Sequence, residues 1–247
     1  MTKKLNEEGE SLAKHNIKIV IIISAFIILF VAYFQYANSA VNTFALSTAS
    51  KVIVIDPGHG GFDPGKVGIT GVHEKEINLK IALKVRDYLE QSGAYVIMTR
   101  TEDVDLDGND EKQLKKMDMH NRKEKINNSN GNILVSIHQN AFPQPKVKGA
   151  QVFYHGSSEE GKNLANYIQQ AIKTHADPSN QRVPKQNADY YVLRTTKIPA
   201  VIVECGFLTN PEEEARLNTD EYQEAIAWGI YIGIADYFQN EIELSQD

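Results

Sequence analysis

One cysteine, Cys205, stands in the 247 residues. A lone thiol excludes an internal disulfide and a thiolate cage for a metal, so the fold must rest on its hydrophobic core. Concentrated basic patches are also missing. With 26 Lys and Arg against 32 Asp and Glu the net charge is -6, a balance that argues against a nucleic-acid partner. Neither internal repeats nor low-complexity segments occur, which leaves no sign of a repeat architecture.

Long apolar runs are confined to one place. Lys3, Lys4, Lys14 and Lys18 precede an uncharged stretch from Ile19 to Ala37, and the next charge is Lys51. The run is long for a secretory signal and about the length of a membrane-spanning helix. Positive charge before it places the N-terminus in the cytoplasm and residues 51–247 outside. The expected organisation is a basic cytoplasmic N-terminus at 1–18, a transmembrane signal-anchor or signal peptide at 19–37, a linker at 38–50, a catalytic domain at 51–240 and a tail at 241–247. Small residues at Ala37-Asn38-Ser39 and Ser47-Thr48-Ala49 keep cleavage open beside an uncleaved anchor.

The exported part alternates strands and helices. Val52–Ile55, Ile133–Ile137 and Ala200–Val203 are short β-branched runs of the kind buried on both faces of an α/β sheet. Further strands are predicted over 94–99 and 149–154. Ile77, Ile81, Val85 and Leu89 form one stripe of a helix over 75–91, with Gly93 at its C-terminal cap. Other helices are expected over 117–127 and 160–174. Asn210-Pro211 followed by three glutamates starts another, and Thr219-Asp220-Glu221 restarts it toward Phe238. Such alternation predicts a three-layer α/β sandwich with a largely parallel or mixed central sheet flanked by helices. Gly229 and Gly233 read as close packing of the last helix on that sheet.

Each apolar run leads into a chemically active residue. The first ends in Asp56-Pro57-Gly58-His59-Gly60-Gly61, the second in His138, the third in Glu204. Ligands of such sheets gather beyond the carboxyl ends of the strands, so these residues point to one shared site. A set of two His and one carboxylate leaves a position open for water, as in catalytic rather than structural zinc sites. Glu74 opens a helix, where an acid also serves the helix dipole. His73-Glu74 lacks the second His of the zinc-protease motif, since Ile77 stands in its place. The acidic stretch 102–108 fails the oxygen spacing of an EF-hand and reads as a solvated loop. A carboxylate at the end of a buried run has a raised pKa, which suits a proton shuttle. An ion pair of Glu204 with Arg100 or Arg122 is the plainer alternative. Adjacent strand residues point to opposite faces, which assigns Cys205 to the core rather than to a nucleophile beside Glu204.

Together, Val54-Ile55-Asp56-Pro57-Gly58-His59-Gly60-Gly61, Glu74-Lys75-Glu76-Ile77-Asn78-Leu79, Ser136-Ile137-His138-Gln139-Asn140-Ala141 and Val203-Glu204-Cys205-Gly206-Phe207-Leu208-Thr209-Asn210 resemble the four blocks of bacterial zinc-dependent N-acetylmuramoyl-L-alanine amidases. The short anchored form is most similar to the germination-specific amidases of the spore cortex. The resemblance implies one catalytic Zn2+ on His59, Glu74 and His138, with Glu204 as general acid/base. Arg122 matches a family arginine near the site and, with Asn140, is assigned to the substrate. The chain departs from the family pattern at Asn127 and Gln139, neither of them a ligand. The link Tyr154–Glu159 leaves no room for the inhibitory helix that some members insert there.

The implied reaction is hydrolysis of the amide between N-acetylmuramic acid and L-alanine in peptidoglycan, in the spore cortex, feeding muramic-δ-lactam formation and germination. The implied location is the outer face of a bacterial membrane, the forespore intermembrane space or the cortex. No wall-binding repeat is apparent, so a targeting or activating partner protein is expected. Read from residue types alone, a zinc peptidase cutting within the stem peptide and a non-catalytic wall-associated protein stay open. Tyr190, Tyr191 and Arg194 are read either as the lining of a substrate groove or as surface-strand packing.

Overall fold

The computed structural model describes residues 2–104, 106 and 114–244. Asp105, Asp107 and Gly108 of the acidic stretch, and residues 245–247 of the tail, lie outside the described residues. The chain divides into two compact units, Met1–Thr43 and Phe44–Asp247. Helix α1 runs over Thr2–Thr48, so the stretch read as a linker is helical as far as Thr48. Within α1, His15–Tyr36 is long and apolar enough to cross a membrane.

The second unit is built on a six-stranded sheet of order β2-β1-β3-β6-β4-β5. Its strands are β1 (Val52–Pro57), β2 (Tyr95–Met98), β3 (Ile133–Asn140), β4 (Gln151–Tyr154), β5 (Lys185–Gln186) and β6 (Ala200–Phe207). Strands β2, β1, β3 and β6 run parallel, while β4 pairs antiparallel with β6 and carries β5 parallel on its outer edge. Helices α2 (Glu74–Gln91), α4 (Glu159–His175) and α7 (Asp220–Leu244) share a core with one face of the sheet, to which they contribute Ile77, Ile81, Leu164, Ile168, Ile226 and Ile230. On the other face Val54, Leu134 and Ile202 meet Ile126 of α3 (Leu114–Asn127) and Val192 and Leu193 of α5 (Tyr191–Thr195). The mixed three-layer sandwich predicted from the alternation is therefore present. Each fully buried Ile or Leu on these faces contributes about 1.5–3 kcal/mol of transfer free energy.

Three details correct the sequence reading. Tyr191 and Arg194 lie in the short helix α5, not in a surface strand. Gly229 and Gly233 pack on α4 rather than on the sheet, since a Cβ at Gly233 would come within 2.4 Å of the Ile168 Cα. Strands β3 and β6 also run past their apolar segments, so His138 and Glu204 sit within strands instead of just beyond them. Helix α6 (Pro211–Leu217) follows β6 directly and is capped by Asn210, whose side chain accepts from the amides of Glu212 and Glu213.

Candidate active site and metal centre

Strand order brings the site residues together at the middle of the sheet. β1, β3 and β6 are consecutive neighbours, with Asp56 beside Ser136 and His138 beside Glu204. Side chains from their carboxyl ends line a cavity of about 360 Å³ with His59, Glu74, His138, Asn140, Tyr190 and Glu204 on its walls. His59, His138 and Glu204 from the three strand ends line this one cavity, and Glu74 reaches it from the first turn of α2.

His59 follows β1 in a turn with φ of 61°, a left-handed conformation that is costly for a side chain other than Gly. Surrounding bonds hold it there. Arg122 Nη2 donates to the His59 carbonyl at 2.6 Å and Nη1 to the Pro57 carbonyl at 2.9 Å, while Arg100 donates to the carbonyls of Pro57 and Gly58. Arg122 is itself fixed by Asp56 at 2.6 Å and Asp118 at 2.8 Å. Gly58 has to be glycine, because a Cβ would lie 2.2 Å from the His138 ring.

Asp56 is the hub of this support. Its carboxylate accepts from Thr99 and Ser136 hydroxyls, each at 2.7 Å, and from Arg122. Burial works against its charge, but Arg122 and the two hydroxyls outweigh burial and bring Asp56 down to about 2. Arg122, assigned to substrate from the sequence, lines the cavity with its guanidinium committed to two carboxylates and two backbone carbonyls. It braces the loop that presents His59. Asn140 does line the cavity, its side-chain oxygen accepting from the Ala141 amide.

The ligand atoms of His59, Glu74 and His138 all lie within 4.8 Å of one another. Glu74 Oε1 is 3.3 Å from His59 Nε2 and 3.0 Å from His138 Nδ1, and the two rings meet edge-on at 5.1 Å between centroids. Asp63 holds His59 Nδ1 at 2.9 Å, which leaves Nε2 facing Glu74. Burial disfavours charge on His59, but the carboxylates of Asp63 and Glu74 prevail and lift it to about 9. Burial likewise opposes the Glu74 charge, while His138 and His59 hold the carboxyl well below its usual range. Two imidazoles and one ionised carboxylate converging in this way could hold a divalent metal ion.

Glu204 is 6% exposed and pairs with neither Arg100 nor Arg122. Its Oε1 accepts from the Tyr190 hydroxyl at 3.0 Å, and its Oε2 is buried with no partner among the described residues. Burial pushes its pKa up, with Glu74 adding to the rise and His138 working against it. An acceptor buried without a donor, beside groups that could hold a metal, could take a proton from a water there. Cys205, next along β6, is fully buried in the core on the α2–α4–α7 face. Sequence reasoning missed Asp63 and Asp56 as supports and Tyr190 as the partner of Glu204. The signal for Asp63 is its place four residues after His59 in the same Gly-rich loop.

Residues 53–236 match the family described as N-acetylmuramoyl-L-alanine amidase. The germination-specific N-acetylmuramoyl-L-alanine amidase of Bacillus subtilis is 38% identical over 216 residues, covering 86% of this chain and 90% of that protein. The CwlD amidase of Clostridioides difficile, solved in complex with the GerS lipoprotein, superposes with a TM-score of 0.74 at 44% identity, over 80% of this chain and 100% of that one. The catalytic domain of CwlV, an amidase from Bacillus (Paenibacillus) polymyxa, superposes with a TM-score of 0.63 at 32% identity, over 76% of this chain and 97% of that one.

Proposed function

The chain belongs to the N-acetylmuramoyl-L-alanine amidase family and hydrolyses the amide between N-acetylmuramic acid and L-alanine; we propose that it does so with one zinc ion on His59, Glu74 and His138 and with Glu204 as general acid/base. The donor set supports zinc, whose catalytic sites use three protein ligands of these types and leave the fourth position open. When bound, zinc supplies Lewis-acid polarisation of the amide carbonyl and lowers the pKa of water toward neutrality.

The remaining steps belong to the protein. Tyr190 fixes Glu204 through Oε1, so that Oε2 is the oxygen free to take a proton from the attacking water. Glu204 then returns that proton to the departing L-alanine nitrogen, and burial favours the protonated form in which it does so. Asp63 keeps His59 in one tautomer, and Arg122 and Arg100 hold the backbone of its loop. The observation that carries this reading is the unpartnered Glu204 oxygen in the same cavity as the His-Glu-His cluster.

The setting proposed is the spore cortex, where the product would feed muramic-δ-lactam formation and germination. The germination-specific name of the Bacillus subtilis relative supports it. The complex of the CwlD amidase with the GerS lipoprotein supports a protein partner for this chain as well. The apolar stretch His15–Tyr36 supports attachment at the outer face of a membrane, facing the forespore intermembrane space or cortex. The direct test is mass spectrometry of peptidoglycan fragments after incubation with the purified chain, zinc-loaded and chelator-treated. Intact stem peptides with a free N-terminal alanine, released only with zinc, are expected. Cuts inside the stem would favour a peptidase, and equal release after chelation would remove the metal from the mechanism.

A further inference from the structure

Residues 65–73 form a strap between the His59 loop and α2. Val67 bridges His73, and the Gly68 amide donates to the Val72 carbonyl at 2.8 Å, which closes the strap as a hairpin. At the base, the Lys66 amide donates to Glu74 Oε2 at 2.8 Å, while Oε1 faces His59 and His138 and accepts from the Gln139 amide at 3.0 Å and from Asn78 Nδ2 at 3.3 Å. At the tip, the Thr70 amide and hydroxyl both donate to Glu214 Oε1, at 2.9 and 3.1 Å. The fit is close, since a Cβ at Gly68 would lie 2.2 Å from that same oxygen.

Glu214 is 2% exposed and forms no ion pair among the described residues. Burying a carboxylate without a counter-ion is costly unless neutral donors satisfy it, and here the donors come from the strap. Its neighbour Glu213 accepts from the Gly149 and Phe207 amides and so ties other segments of the fold. Helix α6, which carries both glutamates, follows directly on the strand that carries Glu204. The strap therefore runs from the carboxylate of Glu74 to the element behind the general acid/base.

We infer that Glu214 is a positioning residue: by holding Thr70 it keeps the strap closed, and the closed strap keeps the Lys66 amide on Glu74 Oε2, which completes the orientation that Gln139 and Asn78 begin at Oε1. The inference rests on Glu74 being a metal ligand. Loss of the Lys66 donor would leave Oε2 unheld and let the carboxyl swing about the Gln139 and Asn78 bonds to Oε1, so loss of the strap should appear as weaker metal binding rather than poorer substrate binding.

The test uses the full chain in detergent, with zinc affinity measured by chelator competition and amide exchange followed in the metal-free protein. Glu214→Ala should weaken zinc binding about tenfold or more, as removal of outer-shell support does. It should also speed exchange at the Lys66 and Thr70 amides and lower kcat with KM unchanged. Glu214→Gln should restore all three, because an amide oxygen can accept both Thr70 donors. Thr70→Val, which removes only the hydroxyl donor, should weaken zinc binding about threefold and keeps the question answerable should Glu214→Ala not fold. Parental zinc affinity and exchange in Glu214→Ala or Thr70→Val would overturn the inference, as would a Gln variant no better than Ala. A parent chain that holds no zinc would instead overturn the reading of Glu74, and this inference with it.

Discussion

The Tyr190 hydroxyl donates to Oε1 of Glu204 at 3.0 Å, while Oε2 of the same carboxyl is buried without a partner among the described residues. The two oxygens thus differ in their surroundings, one held and one free. Tyr190 stands at the N-terminal cap of α5 with its ring edge-on to Phe153, so both packing and helix geometry fix the donor. Burial first, and the Glu204 charge next, raise the Tyr190 pKa, which keeps the phenol a donor. Tyr190→Phe should lower kcat about tenfold with little change in KM, the cost expected for a lost hydrogen bond to an ionisable group. Steady-state kinetics on a soluble muropeptide checks this, and an unchanged kcat would remove Tyr190 from the mechanism.

Metal content should follow the triad one residue at a time. Alanine at His59, Glu74 or His138 should each reduce bound zinc from one ion per chain to below a tenth, measured by elemental analysis after gel filtration. Asp63→Asn should retain the ion with affinity lowered about 10- to 100-fold, since its contact with the His59 ring is at the nitrogen turned away from Glu74. A triad variant that still holds a full ion would show that the cluster is not the binding site.

Arg122 and Asp56, at 3% and 2% exposure, form a buried pair at 2.6 Å. Arg122→Met would strand the Asp56 charge and free the His59 carbonyl at once. The expected loss is about 3–5 kcal/mol of unfolding free energy, with weaker zinc binding in whatever remains folded. Urea titration reads the first effect and chelator competition the second. A loss below about 1 kcal/mol would mean that the pair supports the loop far less than its geometry implies.

The residues that make up the centre of the site are legible in the sequence, and their neighbours along the chain show why. His59, Glu74, His138 and Glu204 each adjoin an apolar run or a helix start, so local pattern locates them. Their supports belong to different segments. Arg122 meets His59 across 63 positions and Glu214 meets Thr70 across 144, and no local periodicity encodes such closures. Strands β3 and β6 extend beyond the ends that periodicity assigns them, because side chains that line the cavity interrupt the apolar run that marks a strand. Helix α5 spans only Tyr191–Thr195, too short to show a helical period, and the two-residue β5 gives no alternation at all.

The lone thiol offers a check on the chemistry. Cys205 is 0% exposed, and burial together with the neighbouring Glu204 charge pushes its pKa up, away from the reactive thiolate. Iodoacetamide should label it only after denaturation. Cys205→Ala should keep full amidase activity at a stability cost of about 1 kcal/mol for the lost sulfur. Rapid labelling of the native protein with parallel loss of activity would return a cysteine nucleophile to consideration.

Acid stability should report on Asp56. Its folded pKa of about 2 lies below the ordinary 3.8, so the charged form is favoured by folding. That contribution is complete above about pH 4 and disappears as pH falls through 2, and a shift of this size corresponds to about 2 kcal/mol. Glu204 and Glu213 are shifted the other way, mainly by burial, and gain stability as they protonate, so the total curve mixes both signs. Subtraction isolates the Asp56 contribution. Both the parent and Asp56→Asn carry Glu204 and Glu213, so the gap between their unfolding free energies should stay flat from pH 6 to about 4 and shrink by about 2 kcal/mol toward pH 2. A gap that is constant across the range would show that the Asp56 charge adds nothing to the brace, leaving its hydroxyl partners and Arg122 to be explained by packing alone.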